Sequence, residues 1–415
     1  MTVRMAWVCA LLAVIAAVVP PVLSTKPREE PSTARPDLSD VPFGVFLASD
    51  WRGPHLLGAF ETWLGAEVRV GRTYVPGEAW NALGGPDFVL QPWMRWRAAK
   101  PSRMLVLNVP MVMPNEGDLP DDAVSVLLNA GADGAFDPYF DRLARTLVAG
   151  HAPDTVIVPG WEMNGLTYSS RCSADPQAWM AYWRRIVAVM RAVPGQRFRF
   201  DFSPNRGPDA IGWTACYPGD DVVDIIGMDS YDQGPGHRFA DYVDQPYGLE
   251  AQAEFASSHG KKISFPEWGL FRYGDRPEFV RDMLDWIARH DVAYHSIVDY
   301  CPHGVWRCPA NPRSARVFRQ ILRDPGFRPG PSPPPATSPL PASVTPAGPP
   351  DASATPASSP VTSAAPAAQA AAPSGSAPPT PQPSPAVTSA TVDSATVDSA
   401  AVTSAAVIST PVATG

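Results

Sequence analysis

The sequence predicts a single (β/α)8 TIM barrel, an α/β fold in which eight parallel strands alternate with helices. Three observations support this prediction. The body of the chain, residues 41–328, has a length typical of one such barrel. Eight short apolar segments recur along it, and most are β-branched runs, as expected of strands buried on both faces. Amphipathic stretches with helical spacing lie between most of these segments.

The apolar segments define the predicted strands, and the stretches between them define the helices. The strands are FGVFL (43–47), AEVRV (66–70), MLVLNVPM (104–111), TVIVPGWE (155–162), RFRFDFSPN (197–205), VVDIIGMDSYD (222–232), KISFPEWG (262–269) and HSIVDY (295–300). The best-marked helices are YFDRLARTLVAG, PQAWMAYWRRIVAVMRAV, LEAQAEFASSHG, PEFVRDMLDWIARH and PRSARVFRQILRD. The fifth helix is poorly marked, since residues 205–221 resemble a loop. A doubly wound open sheet is the alternative, but no Gly-rich phosphate loop follows any predicted strand.

The two ends of the chain differ from its body. Residues 1–24 combine Arg4, a long apolar run and small residues, the pattern of a signal peptide. A membrane anchor is the alternative, because the run approaches the roughly 18 residues of a span. Residues 25–40 are predicted to be a linker. Residues 329–415 are rich in Pro, Ala, Ser and Thr and predict a disordered tail, since they bury too little apolar surface to fold. We therefore expect a secreted or extracellular protein, with cell-wall association through the tail as a hypothesis.

Charge and cysteine content restrict the partners. The net charge of −8 and the absence of a basic stripe argue against nucleic acid. The four cysteines outside the leader favour disulfides in a secreted chain, and three pairings are open. Cys301 with Cys308 closes a short loop and leaves Cys172 with Cys216, which is the pairing we predict. A zinc site of Cys301, His303 and Cys308 lacks a fourth ligand and the usual spacing, so we expect no metal. We also expect no cofactor and a monomeric protein.

Polar and aromatic residues follow or end the predicted strands. In this fold the active site lies at the C-terminal ends of the strands, so these residues share one rim. In chain order they are Asp50, Trp51, Arg72, Tyr74, Trp161, Glu162, Asn164, Asp201, Ser203, Asn205, Arg206, Asp229, Tyr231, Asp232, Glu267, Trp268, Asp299 and Tyr300. Carboxylates, amides and aromatic rings together favour carbohydrate chemistry, because aromatic faces stack on the C–H faces of sugars and polar groups bind hydroxyls.

Glu162 and Glu267 are the predicted catalytic pair. Glycoside hydrolysis uses a proton donor and a second carboxylate that flank the scissile bond. Strands four and seven face each other across an eight-stranded barrel, so we expect the two side chains to approach over the rim. A separation of about 5–5.5 Å would make the mechanism retaining, through a covalent glycosyl-enzyme.

Two motifs carry a resemblance to a known family. GWEMNG (160–165) resembles the His-Glu-Met-Asn-Gly motif of glycoside hydrolase family 26, and SFPEWG (264–269) resembles the nucleophile segment of that family. This family comprises mainly β-mannanases, with relatives that act on mixed-linkage glucans and xylans, and it shares the retaining (β/α)8 arrangement. The resemblance implies that Glu162 is the acid/base and Glu267 the nucleophile. It also implies that Tyr231, near the end of strand six, contacts the nucleophile.

Position 161 departs from the family motif. Trp stands there where mannanases carry His, and an indole N–H donates a hydrogen bond but accepts none. The sequence therefore predicts a secreted retaining endo-glycosidase for a β-linked polysaccharide, mannan- or glucan-like, without specifying the sugar. The predicted substrate-binding residues are Trp51, Trp161, Asn164, Asn205, Arg206, Asp229, Tyr231, Trp268 and Tyr300. A non-catalytic polysaccharide-binding barrel of the cell envelope is the alternative, and a structural wall protein with a functional tail is a third hypothesis.

Overall fold

The computed structural model describes residues 38–324, and these form a closed barrel of eight parallel strands. The strands are β1 (Phe43–Phe46), β2 (Val70–Tyr74), β3 (Met104–Val109), β4 (Val156–Pro159), β5 (Arg199–Phe202), β6 (Ile225–Gly227), β7 (Lys262–Gly269) and β8 (Val292–Val298). Each strand pairs with its neighbour in sequence, and β8 pairs with β1 to close the barrel. Ser230–Tyr231 continue beyond β6 and pair with the end of β7. The predicted (β/α)8 barrel is therefore confirmed.

Helices follow the strands. They are α1 (Arg52–Leu64), α2 (Asp87–Ala98), α3 (Asp121–Ala132), α4 (Asp137–Ala149), α5 (Pro176–Arg191), α6 (Phe239–Asp244), α7 (Leu249–Ser258), α8 (Pro277–Arg289) and α9 (Pro312–Arg323). Between β5 and β6 the described chain forms a short 3-10 helix, Trp213–Cys216, in place of a full helix. This agrees with the loop predicted for residues 205–221. No helix within residues 38–324 has the length and apolar character that a membrane span requires.

Helix α5 illustrates why the amphipathic stretches become helices. The Asp175 carboxylate accepts a hydrogen bond from the backbone N–H of Ala178 at 3.0 Å, and Pro176 occupies the first turn, where its missing N–H costs nothing. Trp179, Trp183 and Ile186 recur on one face and are fully buried. Burial of such side chains stabilises the fold by about 3–5 kcal/mol per large aromatic residue.

Two apolar layers surround the strands. The larger layer lies between the strands and the helices and contains the tryptophans of α2 and α5. The smaller layer fills the barrel interior, where Val70, Val106, Val156 and Ile225 pack together. The interior is therefore plugged, and chemistry is confined to the rim above it.

Most predicted strands extend beyond the observed ones, and the second and the eighth are also displaced along the chain. The second strand is Val70–Tyr74 rather than 66–70, and the eighth is Val292–Val298 rather than 295–300. The second strand was predicted too early because the apolar pattern of AEVRV ends at Val70. The observed strand continues through Arg72, a charged residue that is buried. The predicted leader 1–24, most of the linker 25–40 and the tail 329–415 lie outside the described residues.

Candidate active site

A strained turn after β4 presents Glu162 at the rim. Gly160 and Glu162 both have positive φ angles, 56° and 53°, in the left-handed region that non-glycine residues rarely adopt. The backbone N–H of Glu162 donates to the Ser203 carbonyl at 2.8 Å, and its carbonyl accepts from Gly165 at 3.0 Å. Strain of this kind persists where surrounding contacts fix it and is concentrated at functional sites.

The Glu162 carboxyl has no hydrogen-bond partner among residues 38–324, although only 8 % of the residue is exposed. Burial raises its pKa far above the usual value, and the negative charges of Glu267 and Asp209 raise it further. The Arg72 cation acts in the opposite direction and is the smallest of these influences. The protonated form of Glu162 is therefore favoured, as a proton donor requires.

The Glu267 carboxylate is held by three donors. Arg72 forms an ion pair with its Oε1, and the Tyr74 hydroxyl donates to the same oxygen at 2.7 Å. The Tyr231 hydroxyl donates to Oε2 at 2.6 Å. Both carboxylate oxygens are thus engaged, which orients the group and stabilises its negative charge. The predicted contact between Tyr231 and Glu267 is present.

Arg72 and Asp229 support Glu267 from below. Arg72 is fully buried, and its guanidinium lies 4.4 Å from the centre of the Tyr74 ring. Burial is the largest single influence on the pKa of Arg72 and lowers it. Glu267, Tyr74, Asp229 and Tyr231 together outweigh burial and raise the pKa above its ordinary value, so the side chain remains cationic. Asp229 Oδ1 accepts hydrogen bonds from the Glu267 backbone N–H and from Ser203 Oγ, both at 3.1 Å. These contacts fix the backbone at Glu267 as well as its side chain.

Aromatic side chains surround the two glutamates. The Trp161 ring lies 5.4 Å from Tyr74 and 4.8 Å from Tyr168, measured between ring centres. Trp161 is 4 % exposed and belongs to the barrel interior, so it forms part of the floor of the site rather than an open stacking face. Tyr300 is half-buried and packs edge-on against Phe46. Trp51 is 54 % exposed on the loop after β1, and its backbone N–H donates to the backbone carbonyl of Phe88, a residue that is also exposed.

Four predicted substrate-binding residues have other roles. Trp268 is fully buried, faces Phe279 and Phe318 on the outside of the barrel, and donates its indole N–H to His295. Strand alternation explains this error, since neighbours of an inward Glu267 point outward. The Asn164 amide is buried and binds the backbone of Asn205 and Gly207.

Arg206 and Asp229 are also corrected. The Arg206 guanidinium donates to the carbonyls of Tyr231 and Gln233 and lies 4.0 Å from the centre of the Tyr242 ring. Asp229 is fully buried beneath Glu267. These side chains hold loops and glutamates in place. Asn205, whose amide donates to Asp209 Oδ2 at 3.2 Å, stays a prediction as a substrate-binding residue.

Four site residues were not assigned a role from the sequence. Arg72 and Tyr74 were included in the predicted rim without a role. The pattern that could have marked them as site residues is a charged residue, with an aromatic one two positions later, at the end of an apolar strand. Tyr168 and Asp209 lie in loops after β4 and β5, and their proximity to Glu162 depends on how those loops fold. No periodicity in the sequence marks them.

Two disulfides cross-link loops that follow the strands. Cys172 pairs with Cys216 and Cys301 pairs with Cys308, as predicted, so these cysteines are not zinc ligands. The first disulfide joins the loop that carries Glu162 to the loop between β5 and β6. The backbone N–H of Cys172 also donates to the Met163 carbonyl at 2.8 Å, which ties the bond directly to the strained turn.

A (β/α)8 barrel with a glutamate at the end of β4 and another near the end of β7 is the arrangement that the sequence predicted for a glycoside hydrolase. The sequence profile of glycosyl hydrolase family 26 matches residues 159–262. The matched segment contains Glu162 and Tyr231 and stops before Glu267. The predicted resemblance to this family is thereby confirmed. No curated protein sequence matches the chain.

Solved structures of mannanases share the barrel. The catalytic domain of a Bacillus sp. JAMB-750 GH26 endo-β-1,4-mannanase is 17% identical, with 68% of this chain and 86% of that chain covered and a TM-score of 0.53. A modular endo-β-1,4-mannanase from Cellulomonas fimi is 18% identical over 69% and 71% of the two chains, with a TM-score of 0.51. A GH26 β-mannanase from Bacteroides ovatus is 18% identical over 69% and 87%, with a TM-score of 0.51. At these identities the likeness establishes the fold.

Proposed function

We propose that this protein is a secreted, retaining endo-glycosidase that cleaves a β-linked, mannan- or glucan-like polysaccharide through Glu162 and Glu267. The observation that carries the proposal is the contrast between the two carboxyl groups. Glu267 is bound by Arg72, Tyr74 and Tyr231, whereas the Glu162 carboxyl has no hydrogen-bond partner within residues 38–324 and a raised pKa. Two carboxyl groups in such different environments are suited to different roles, a nucleophile and an acid.

In the first step, Glu267 attacks the anomeric carbon. The bond between that carbon and the glycosidic oxygen breaks, and Glu162 gives its proton to the departing oxygen. The product is a glycosyl ester of Glu267. Arg72 and the two tyrosines hold the attacking carboxylate in one orientation, since their donors face both of its oxygens.

In the second step, water hydrolyses the ester and Glu162 accepts the proton of the water. Once Glu267 is esterified it carries no charge, so one of the influences that raise the pKa of Glu162 disappears. The pKa of Glu162 then falls, and the carboxylate becomes the base that this step needs. Glu162 leaves the cycle protonated, ready for the next substrate.

The substrate class rests on the aromatic floor and on the relatives. The solved structures that share the barrel include enzymes named as endo-β-1,4-mannanases. Trp161 stands where the His-Glu-Met-Asn-Gly motif has His, and its ring packs against Tyr74 and Tyr168. The sugar in the cleft therefore meets an apolar surface at this position. We expect a screen of β-mannan, mixed-linkage glucan and xylan to identify one main substrate.

Azide rescue tests the two roles. With a 2,4-dinitrophenyl β-glycoside of the preferred sugar, whose leaving group needs no acid, Glu162→Ala should form the glycosyl-enzyme but hydrolyse it slowly. Azide should accelerate turnover of this variant and give the β-glycosyl azide, with retained configuration. Glu267→Ala should be inactive, and azide should not yield a retained product. Retained azide product from Glu267→Ala, or full activity of either variant, would exclude the assignment.

Secretion is supported by the apolar leader and by two disulfides, bonds that persist in oxidising compartments. We expect the mature protein in the culture medium of its host to begin close to residue 25. Intact-mass measurement and N-terminal sequencing check this. Recovery of the protein with residues 1–24 in the membrane fraction would instead support the anchor.

A further inference from the structure

A cavity of about 830 Å³ lies on the outer face of the barrel. It is lined by α9, by the loop after β8 and by Trp63 of α1. None of its lining residues touches the Glu162 and Glu267 side chains, and the catalytic reaction makes no use of them. The cavity has the size of a binding site for a small ligand or for a short segment of a polymer.

Three arginines give the cavity a positive charge. Arg316, Arg319 and Arg323 follow one another at helical spacing along α9 and line it together. None of the three forms an ion pair with residues 38–324, whereas Arg313, one turn before Arg316, is paired with Asp275. The acidic residue among the lining side chains is Asp324. In a chain with a net charge of −8, this concentration of positive charge is local.

Two tryptophans give the same cavity an aromatic surface. Trp63 and Trp306 are each partly exposed, and both pack against Phe60, with ring centres 5.4 Å and 5.5 Å from it. The Arg319 guanidinium lies 5.2 Å from the centre of the Trp63 ring. Phe60 is fully buried and fixes both rings. Aromatic surface and cationic groups thus line one cavity.

We propose that this cavity is a second carbohydrate-binding site, and that its ligand is an acidic polysaccharide whose pyranose rings carry carboxylates. A guanidinium binds a carboxylate through two parallel hydrogen bonds, and the partly exposed rings of Trp63 and Trp306 add apolar surface for the C–H groups of a pyranose ring. A phosphate-bearing polymer without rings would satisfy the arginines and leave the tryptophans unused. The site would hold the enzyme on a charged matrix while the catalytic cleft acts on its own substrate.

Binding is measured with the full-length Glu267→Ala variant, so that no probe is hydrolysed. The probes are polygalacturonate, the same polymer with its carboxylates methyl-esterified, and inorganic polyphosphate. We expect titration calorimetry to show binding of polygalacturonate that weakens as salt rises, because the contact is ionic. The esterified polymer should bind at least tenfold more weakly, and so should polyphosphate, which has no ring.

Charge-neutralising variants locate the site. Arg316→Gln with Arg323→Gln should weaken polygalacturonate binding at least tenfold, and both residues are exposed, so folding should be unaffected. The matched control is Arg95→Gln with Arg142→Gln, which removes the same charge from exposed positions on α2 and α4 and should leave binding unchanged. In a background with Glu267 intact, both double variants should retain hydrolysis of soluble glycan.

Several outcomes would overturn the proposal. These are the absence of polygalacturonate binding, equally tight binding of the esterified polymer or of polyphosphate, and an equal loss of binding in the control variant. Because binding is measured in a variant without catalysis, its failure is independent of the hydrolase assignment. Loss of hydrolysis with intact polygalacturonate binding would count against the catalytic roles alone.

Discussion

The hydroxyl of Tyr231 and the guanidinium of Arg72 approach different oxygens of Glu267, which leaves the carboxylate one orientation. Tyr231→Phe removes the 2.6 Å hydrogen bond to Oε2 and keeps the ring that packs against His303. A hydrogen bond to a charged group contributes about 1.5–3 kcal/mol, so kcat/KM on the preferred glycan should fall about 10- to 100-fold. Steady-state kinetics measure this.

Tyr217→Phe is the control for that measurement. Its hydroxyl donates to the exposed carboxylate of Asp220 at 2.8 Å, away from both glutamates. This variant should keep the wild-type kcat/KM. If the Tyr231 variant also kept it, the Tyr231 hydrogen bond would not contribute to the orientation of the nucleophile.

Asp209 is a third carboxylate near Glu162, and its charge should be visible in the pH profile. The alkaline limb of kcat/KM reports loss of the proton from the acid in the free enzyme. Asp209 raises the pKa of Glu162, after burial and Glu267 in order of size. Asp209→Asn removes that negative charge, so the pKa of Glu162 should fall and the alkaline limb should move to lower pH. Solvent screens an exposed charge, so the movement should be small.

The pH dependence of kcat/KM in low and high salt tests this expectation. The difference in the alkaline limb between wild type and Asp209→Asn should decrease as salt rises, because salt screens the charge of Asp209 in the wild type. Asp141→Asn, which removes a carboxylate paired with Arg145 on α4, should leave the limb in place. An unchanged limb in Asp209→Asn, or a movement to higher pH, would show that Asp209 does not act on Glu162.

Site residues that lie within a recognisable sequence motif could be predicted, whereas residues that reach the site through the folding of a loop could not. Glu162 and Glu267 each follow an apolar run inside a recognisable motif, and Tyr231 ends a strand. Tyr168 and Asp209 come close to Glu162 only because their loops turn back over the rim. Trp268 was misassigned because adjacent residues at a strand end face opposite sides, and the sequence does not say which side is inward.

Among the structural elements, the turn after β4 depends on other parts of the chain for its conformation. Positive φ at Glu162 costs on the order of 1–3 kcal/mol. Asn164 binds the backbone of Asn205 and Gly207, and the Glu162 N–H is bound by Ser203. The loop after β5 therefore stabilises the conformation of the turn after β4.

The disulfide between Cys172 and Cys216 joins these same two loops. It spans 44 residues, whereas Cys301–Cys308 spans 7. Loop-closure entropy predicts that losing the longer cross-link costs about 4 kcal/mol, against about 2 kcal/mol for the shorter one. Cys172→Ala with Cys216→Ala should therefore lower the free energy of unfolding more than Cys301→Ala with Cys308→Ala, as measured by guanidinium denaturation.

Activity separates the effects of the two disulfides further. Loss of Cys172–Cys216 should also lower kcat/KM at temperatures where the protein is folded, because the turn at Glu162 loses a tether. The Cys301–Cys308 double variant is the matched comparison. A larger loss of stability in that comparison variant would contradict the expectation from chain length.

The elements themselves followed the sequence where amphipathic spacing was strong. The helices α4, α5, α7, α8 and α9 were predicted from their buried stripes, and α1, α2, α3 and α6 were not specified. The second strand was placed too early, since Arg72 interrupts its apolar pattern. A buried charge is tolerated there because Glu267 pairs with it. Apolar patterning therefore fails to predict this part of the strand, because Arg72 is placed there to bind Glu267.

At the scale of the whole molecule, charge is divided between two surfaces. The catalytic cleft gathers Glu162, Glu267 and Asp209 around one internal cation, Arg72. The outer cavity on α9 gathers Arg316, Arg319 and Arg323. In the cleft Glu162 is protonated and Arg72 offsets the charge of Glu267, whereas the outer cavity is cationic. The proposed roles therefore divide between the two surfaces, cleavage in the cleft and attachment of an acidic glycan at α9.

Removal of residues 329–415 should leave the hydrolytic reaction intact. Every strand and helix of the barrel lies between residues 43 and 323, and both glutamates and both disulfides are within it. A chain that ends at residue 328 should show the wild-type kcat/KM on soluble glycan and the same unfolding midpoint. If the tail mediates wall association, binding to insoluble wall material should decrease.

A chain that ends at residue 311 is the control. It lacks α9, exposes the partners of buried Phe318 and Ile321, and should fail to fold. Loss of soluble-glycan hydrolysis in the chain that ends at residue 328 would mean that the tail takes part in the reaction.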